Sequence, residues 1–297
     1  MDYRLLLDRT SRIWWIQQIN QFHQSIVVSK NDNVFIEIDK SIRPSDLTPL
    51  HIVSLACFID CIYTKASGIW IKTSKELTDF LMNDLHLQKY FKDISHIEAE
   101  SKTILNLWKI ITDEAFLYRD KLSKYLKQEY FKGLDISMLG TTLDELYANV
   151  ADHSRSNGVA YSYIEYNELG QTISVAFCDF GIGIPNSLKN ANLHPLSNNN
   201  YIEYATKKGI TAKSNEHNAG FGLDTLKDCM QGSDNNLIII SNNEMYIYSC
   251  SRDVIIERTT DLNFNFQGTL ISYTINISQF ESEEIIGYGS LVDDLDW

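Results

Sequence analysis

The chain has 297 residues, of which 44% are hydrophobic and 11% aromatic. This composition is typical of a folded globular protein and excludes a largely disordered chain. The formal net charge is −13, from 39 acidic and 26 basic residues. Binding to nucleic acid or to anionic membranes depends on clustered Lys and Arg, so the charge argues against both as general partners.

Cysteine usage and hydropathy bear on the cellular compartment. The five cysteines are an odd number and include no CxxC pair, which indicates a reducing environment rather than a disulfide framework. The N-terminus is charged from its second residue and lacks a signal-peptide pattern. The sequence has no uninterrupted apolar run of about eighteen residues, which a membrane span would need. We therefore expect a cytoplasmic protein without a membrane segment.

The first third of the chain alternates between helix and strand patterns. This alternation predicts a small α/β domain over residues 1–95. Five elements are predicted there in chain order: a helix over 3–25, a strand over 33–39, a helix over 45–63, a strand over 68–74 and a helix over 75–91.

The order of these elements, from about residue 30 to residue 92, resembles that of STAS domains, the sulfate-transporter and anti-sigma-antagonist type. The resemblance implies that this STAS-like unit binds partner proteins. A purely structural appendage is the alternative interpretation.

A highly charged stretch follows over residues 97–130. Its apolar positions include Leu105, Trp108 and Ile111. We predict that it forms a helical connector, with bounds at 96–135, which joins two units or packs in a dimer interface.

The rest of the chain predicts an α/β sandwich whose sheet is mixed and mostly antiparallel. Strands over 161–167 and 172–180 flank a short turn and form an antiparallel pair. This order differs from the repeated βαβ units of a Rossmann fold. The later elements are an Asn-rich loop over 186–200, helices over 201–208 and 223–230, and strands over 236–240, 245–249 and 269–277.

A helix predicted over residues 141–154 aligns three polar side chains. Glu145, Asn149 and Asp152 recur at three- to four-residue spacing along one flank, so each lies about one turn from the next. A solvated helix face is the ordinary explanation for such a pattern. The motifs downstream favour a functional one.

The first of these motifs is DFGIGIP, which contains Asp179, Gly181 and Gly183. It comes directly after a predicted strand, so the carboxylate can form the floor of a pocket. The two glycines let the backbone pass close to a ligand.

Two further motifs complete an ordered set. In AGFGLDTLKD, Gly220 and Gly222 precede a helix whose free N–H groups suit phosphate, and QGTLISYTI places Thr269 at the start of a strand. The order E-x3-N, D-x-G-x-G, G-x-G-L and G-T resembles the GHKL ATP-binding fold. Gyrase-type topoisomerases, heat-shock chaperones, histidine kinases and MutL-type repair proteins share this fold. The resemblance implies a Bergerat-type α/β sandwich over residues 136–280, followed by an acidic tail over 281–297.

The resemblance also implies how adenine would be recognised. Asp179 would accept a hydrogen bond from the adenine amino group, because an acceptor-only carboxylate selects adenine over guanine. Gly181 and Gly183 would let the backbone pass beside the base and the ribose. Thr269 would lie beside the adenine and contact it through water.

At the phosphate end, the resemblance implies a catalytic role for Glu145, which would orient and deprotonate the attacking water. Asn149, one turn further on, would coordinate the Mg²⁺ that bridges the phosphates of ATP. The cofactors expected from the resemblance are therefore ATP and Mg²⁺.

The resemblance implies that the second glycine motif binds the phosphates. Gly220 and Gly222, with the helix that begins at Leu223, would receive the phosphates. The polar segment over residues 186–219 would be a lid, from which Lys213 would reach a phosphate.

The preferred function is a slow Mg-dependent ATPase whose Mg-ATP state, through lid closure, controls a protein partner. A homodimer is one form that such a partner can take. An anti-sigma-factor-like serine/threonine protein kinase is the alternative, because Glu145 also fits deprotonation of a Ser hydroxyl. A histidine kinase is disfavoured because neither His86 nor His96 has the sequence context of a phosphoacceptor. We expect ATP or ADP and a protein as partners, but no membrane and no nucleic acid.

Overall fold

A computed structural model of the chain shows a mixed α/β protein with two sheets. It describes residues 1–91, 104–111, 124, 126–128, 131–137, 139–140, 142–143, 146, 159–196, 200–210, 223–232, 234–251 and 254–282. The larger sheet has five strands and the smaller has three.

The small sheet is parallel and belongs to the N-terminal unit. Its strands lie in the order β1-β2-β3, with Leu5 of β1 opposite Ile36 of β2. The connections are helical, as parallel strands require. The elements are β1 (Asp2–Leu7), α1 (Arg12–Ser25), β2 (Asn33–Ile38), α2 (Pro49–Tyr63) and β3 (Gly68–Lys72).

The predicted opening helix over residues 3–25 is wrong at its start. Residues Asp2–Leu7 form β1, and only Arg12–Ser25 are helical. Leu5 and Leu7 are buried while Arg4 and Leu6, which precede them, are exposed, which is the two-residue period of a strand. The period of this short segment therefore decides the element type.

The predicted helix over residues 75–91 is also interrupted. A short helix, α3 (Lys75–Asp79), begins at Ser74, whose side chain accepts a hydrogen bond from the backbone N–H of Leu77 at 3.2 Å. It continues as one π-helical turn (Phe80–Asp84) and, after His86 at a φ of 50°, as a 3₁₀ turn. The left-handed conformation of His86 ends the regular helix.

The large sheet is antiparallel throughout and confirms the predicted fold class. Its strands lie in the order β4-β5-β6-β8-β7. The predicted pair over 161–167 and 172–180 is present as β5 and β6. The strands are β4 (Ile104–Ile111), β5 (Val159–Asn167), β6 (Thr172–Asp179), β7 (Asn235–Ser251) and β8 (Val254–Asn276).

The helical connector predicted over residues 96–135 is wrong where β4 forms. Ile111 of β4 pairs with Val159 of β5, and Leu107 and Ile110 are buried in the core. A run of apolar residues suits a strand as well as a buried helix, and pairing with the edge of β5 decides in favour of the strand. Residues 96–103 and 112–123 lie outside the described part of the chain, and the domain bounds themselves stay predictions.

The two faces of the large sheet face different neighbours. On β6, Val175 and Phe177 belong to a core with the C-terminal helices, whereas Ala176 and Cys178 belong to a core with the N-terminal unit. This separation follows from the alternation of side chains along a strand. The sheet is therefore covered on both sides, and each face has its own apolar core.

The helix α2 covers the second face. It is buried along nearly its whole length and contacts β5, β6 and β8 as well as α1 and β3. Pro49 stands at its first turn, and the backbone N–H of Thr48 donates to Nδ1 of His51 at 2.9 Å, which closes a capping box. A helix that is apolar on all sides needs neighbours on all sides, and α2 obtains them from both sheets.

A buried ion pair joins α2 to β4. Nζ of Lys109 lies 3.1 Å from Oδ1 of Asp60 and 3.3 Å from the carbonyl oxygen of Tyr90. The Lys109 side chain is 8% exposed and that of Asp60 is 22% exposed. Loss of either charge would leave the other buried without its partner, which is costly in a protein interior.

We expect Lys109→Met to lower the free energy of unfolding by about 3–5 kcal/mol, because it strands the Asp60 carboxylate. The matched control is Lys227→Met, which removes a shorter but more exposed pair with Glu257 at 2.7 Å and should cost about 1 kcal/mol or less. Urea denaturation measures both. If both variants lose the same unfolding free energy, the Lys109–Asp60 pair is no more important to stability than an exposed pair.

Candidate functional site

Asp179 ends β6 and is the centre of the candidate site. It pairs in register with Thr269 of β8 and Ala160 of β5, and it is only 6% exposed. The backbone N–H of Gly181 donates to its Oδ1 at 2.7 Å. The carboxylate is thus oriented by the first turn of the glycine loop that follows the strand.

Burial raises the pKa of the Asp179 carboxyl to about 7. Hydrogen bonds from the backbone N–H groups of Gly181 and Thr269 act in the opposite direction, since they stabilise the charged form. A buried carboxyl with this pKa changes charge near neutral pH. Such perturbed groups are concentrated at functional sites.

Two glycines beside Asp179 have conformations and surroundings that exclude other residues. Gly183 has a φ of 80°, and a Cβ there would lie 2.6 Å from Oγ of Ser241. Gly268 has a φ of 93°, and a Cβ there would collide with the carbonyl oxygen of Asp179. Both positions require glycine because they combine a left-handed backbone with close backbone approach.

Ser241, in β7, ties the glycine loop to β8. Its Oγ accepts a hydrogen bond from the backbone N–H of Ile184 at 2.8 Å and donates one to the carbonyl oxygen of Gly268 at 2.7 Å. It also lies 3.4 Å from Oγ1 of Thr269. A single hydroxyl therefore links the three segments around Asp179.

Asn242, the next residue, supplies an acceptor that no described residue uses. It has a φ of 53° at a register shift between β7 and β8, and its Nδ2 donates to the carbonyl oxygen of Ile182 at 3.3 Å. Its buried Oδ1 has no hydrogen-bond partner among the described residues. A buried acceptor in this condition is suited to a donor from a ligand.

Sequence reasoning missed Ser241 and Asn242. The letters SNN between two apolar runs predict a turn, so strands were expected over 236–240 and 245–249. The structure instead has one long strand with an irregularity at these residues. An Asn next to a Ser between strand patterns is also compatible with a bulge, but only the pairing with β8 reveals it.

The structure brings four of the predicted site residues together. They lie at the adjoining ends of β6 and β8 and in the loop after β6: Asp179, Gly181, Gly183 and Thr269. Leu223 begins the helix α6 (Leu223–Cys229), as predicted, and its side chain packs into the core. The remaining predicted residues lie outside the described part of the chain: Glu145, Asn149, Lys213, Gly220 and Gly222.

The segment predicted as a polar lid is more structured than expected where it is described. The helix α4 (Ile184–Asn190) replaces the start of the Asn-rich loop, and α5 (Tyr201–Ala205) confirms the next predicted helix. Leu188 and Ile202 are buried in the core of the helical face. These two side chains fix the described parts of the segment, residues 186–196 and 200–205, to the sheet.

The described residues include neither a metal cluster nor a membrane-spanning helix. In the described ranges, no three His, Cys, Asp or Glu side chains are grouped so that they could hold a metal ion. The helices in those ranges include none with the length and hydropathy to cross a membrane. The predicted Mg²⁺ ligand, Asn149, lies outside them.

Solved structures with some similarity come from two topoisomerases. One is the topoisomerase IV ATP-binding domain of Francisella tularensis in complex with a small-molecule inhibitor. It is 14% identical over 61% of this chain and 42% of that chain, with a TM-score of 0.29. The other is the ATPase region of Saccharomyces cerevisiae topoisomerase II. It is 12% identical over 45% of this chain and 35% of that chain, with a TM-score of 0.28.

The chain spans less than half the length of either of these structures. No protein-family model matches the sequence, and no curated protein matches it.

Protonation of Asp179 should make the stability of the ligand-free protein depend on pH. Its pKa is raised on folding, so its contribution is fully present below about pH 4 and is lost as the pH rises through about 7. We therefore expect the unfolding free energy of Asp179→Asn, relative to that of wild type, to rise by about 4 kcal/mol between pH 4 and pH 8. Urea denaturation at several pH values measures this shift.

The control for this experiment is Asp261→Asn, at an exposed position of β8. Its stability should follow the wild-type pH profile. If Asp179→Asn also follows that profile, then burial of Asp179 does not perturb its protonation.

Proposed function

We propose that the protein binds ATP at the Asp179 site and hydrolyses it slowly with Mg²⁺, and that the nucleotide state controls a protein partner. One observation carries the proposal: a buried carboxylate at the end of β6, whose Oδ1 is held by the N–H of Gly181 at the start of the glycine loop. The ionised carboxylate has acceptor capacity left for a second donor. The adenine amino group is a donor of the required kind.

The orphaned Oδ1 of Asn242 supports the same proposal. A Cβ atom on Gly183 would lie 2.7 Å from this oxygen, so the oxygen borders the glycine loop. An amino group has two hydrogens, and an adenine near this loop would meet acceptors on both Asp179 and Asn242. Guanine presents a carbonyl oxygen at the corresponding position and would face unpaired acceptors.

At the phosphate end the proposal rests on the resemblance of the sequence motifs. Leu143 and Leu146 are helical and buried against the face of the sheet to which Val175 and Phe177 point. The E-x3-N spacing supports Asn149 as the Mg²⁺ ligand, and the metal would neutralise charge on the phosphates.

In the proposed reaction, Glu145 takes a proton from water while the water oxygen attacks the γ-phosphorus. The bond between that phosphorus and the bridging oxygen breaks, and ADP leaves with its electron pair. Gly220, Gly222 and Lys213 would stabilise the phosphate charge. The regulated partner is inferred from the STAS-like element order of the N-terminal unit.

If Asp179 reads the adenine amino group, Asp179→Asn should weaken ATP binding by about 10- to 100-fold, because it replaces an acceptor with a donor. Wild type should also prefer ATP to GTP by a similar factor. Isothermal titration calorimetry at pH 8, where Asp179 is ionised, measures both. Asp261→Asn is the control and should bind as wild type does. Equal ATP affinity in wild type and Asp179→Asn would remove the adenine assignment.

Glu145→Ala should keep ATP affinity within a fewfold of wild type and lower hydrolysis by about 10²-fold or more, the typical effect of a positioned base. The measurement follows γ-labelled ATP and asks whether the label becomes free phosphate or protein-bound phosphate. Label on protein would replace the hydrolase with the kinase alternative. A wild-type rate in Glu145→Ala would show that this helix does not carry the catalytic base.

A further inference from the structure

A cavity lies on the face of the large sheet that packs against the N-terminal unit. It has a volume of about 490 Å³ and is formed where the 3₁₀ turn at Pro44 and the helical segment over residues 75–84 meet β5. Its lining residue Glu165 stands five positions along β5 from Ala160, the partner of Asp179, or about 17 Å along the strand. The cavity is therefore separate from the candidate nucleotide site.

Four carboxylates line this cavity, and no Lys, Arg or His in the described part of the chain lines it with them. They are Glu76, Asp79, Asp84 and Glu165. The ion pairs between described residues include none of the four. Burial raises the pKa of Glu165, so this carboxylate is held in surroundings that oppose its charge. A bound cation would relieve that opposition.

Tyr163 gives a second and independent indication of a ligand. It is 3% exposed, lines the cavity, and lies on the same face of β5 as Glu165. Its hydroxyl has no hydrogen bond to any described residue, and burial with nearby Glu165 and Asp84 raises its pKa well above the usual value. It therefore stays neutral and offers both a hydrogen-bonding group and an aromatic ring to a cation.

The arrangement does not suit a single metal ion. No three of these carboxylates converge closely enough to hold one, as judged over the described residues. They are instead spread around a volume that falls within the usual range for small-molecule sites. Apolar lining from Phe80 and Ile52 suits a ligand with a hydrocarbon part. Separated charges and apolar walls together fit an organic cation with more than one charged nitrogen.

We propose that this cavity binds alkylammonium groups, with Glu165 and its acidic neighbours as ion-pair partners and Tyr163 beside one of the charged nitrogens. The ligand is either a free linear polyamine or the lysine side chains of another protein chain, since both present the same chemistry. The inference does not depend on nucleotide binding at Asp179.

The experiment titrates the full-length protein with spermidine and, separately, with a pentalysine peptide, by calorimetry at low salt. Wild type should bind at least one of them, and Glu165→Gln should lower that affinity about tenfold, the effect of losing one close charge pair. Tyr163→Phe should lower it to a smaller extent. Glu168→Gln, in the exposed turn after β5, is the matched control and should bind as wild type does.

A thermal-shift measurement separates binding from folding. Spermidine or pentalysine should raise the Tm of wild type and of Glu168→Gln, but raise that of Glu165→Gln much less. Because Glu165→Gln removes a half-buried charge, the variant should fold at least as stably as wild type without ligand. Binding by spermidine alone assigns the site to a free polyamine, and binding by the peptide alone assigns it to protein lysines. No binding by either probe, or equal binding by Glu165→Gln and wild type, overturns the proposal.

Discussion

The close approach of β8 to the end of β6 is the constraint on which the candidate site depends. The two backbones are so near at Gly268 that no side chain fits between that residue and the carbonyl oxygen of Asp179. This approach lets the N–H of Thr269 reach the Asp179 carboxylate and lets Ser241 bridge to the glycine loop at Ile184. A buried, oriented carboxylate is the result.

The N-terminal unit is packed against the strands that carry this carboxylate. Residues on either side of Asp179, namely Cys178 and Phe180, belong to the core that α1 and α2 complete. His23 of α1 stacks on Phe180 with ring centroids 5.4 Å apart, and Gln24 donates to the carbonyl oxygen of Asn265 at 2.6 Å. The two units therefore share direct contacts on both sides of Asp179.

Prediction from the sequence succeeded where a local pattern has one structural meaning. The antiparallel pair β5 and β6 belongs to this class. The start of α2 does not, because the helix predicted from residue 45 begins at Pro49, after a separate 3₁₀ turn at Pro44–Asp46. Prediction failed at β1 and β4, where short apolar segments fit a helix or a strand and the available partner decides. It also failed at Ser241 and Asn242, because a turn and an irregular strand favour the same residue types.

The sequence by itself determined which residue types are available and how they are spaced. Its motifs put Asp179 at the end of a strand, Gly183 in the following loop and Thr269 at a second strand, and they established the α/β class. Only the tertiary structure decided that the Asp179 carboxyl is desolvated and that Asn242 carries an unused acceptor. It also brought Glu76 and Glu165, from distant parts of the chain, to one cavity. Burial and electrostatic environment depend on which residues are neighbours in space. A sequence pattern can indicate that a side chain is buried, but it does not identify the residues that surround it.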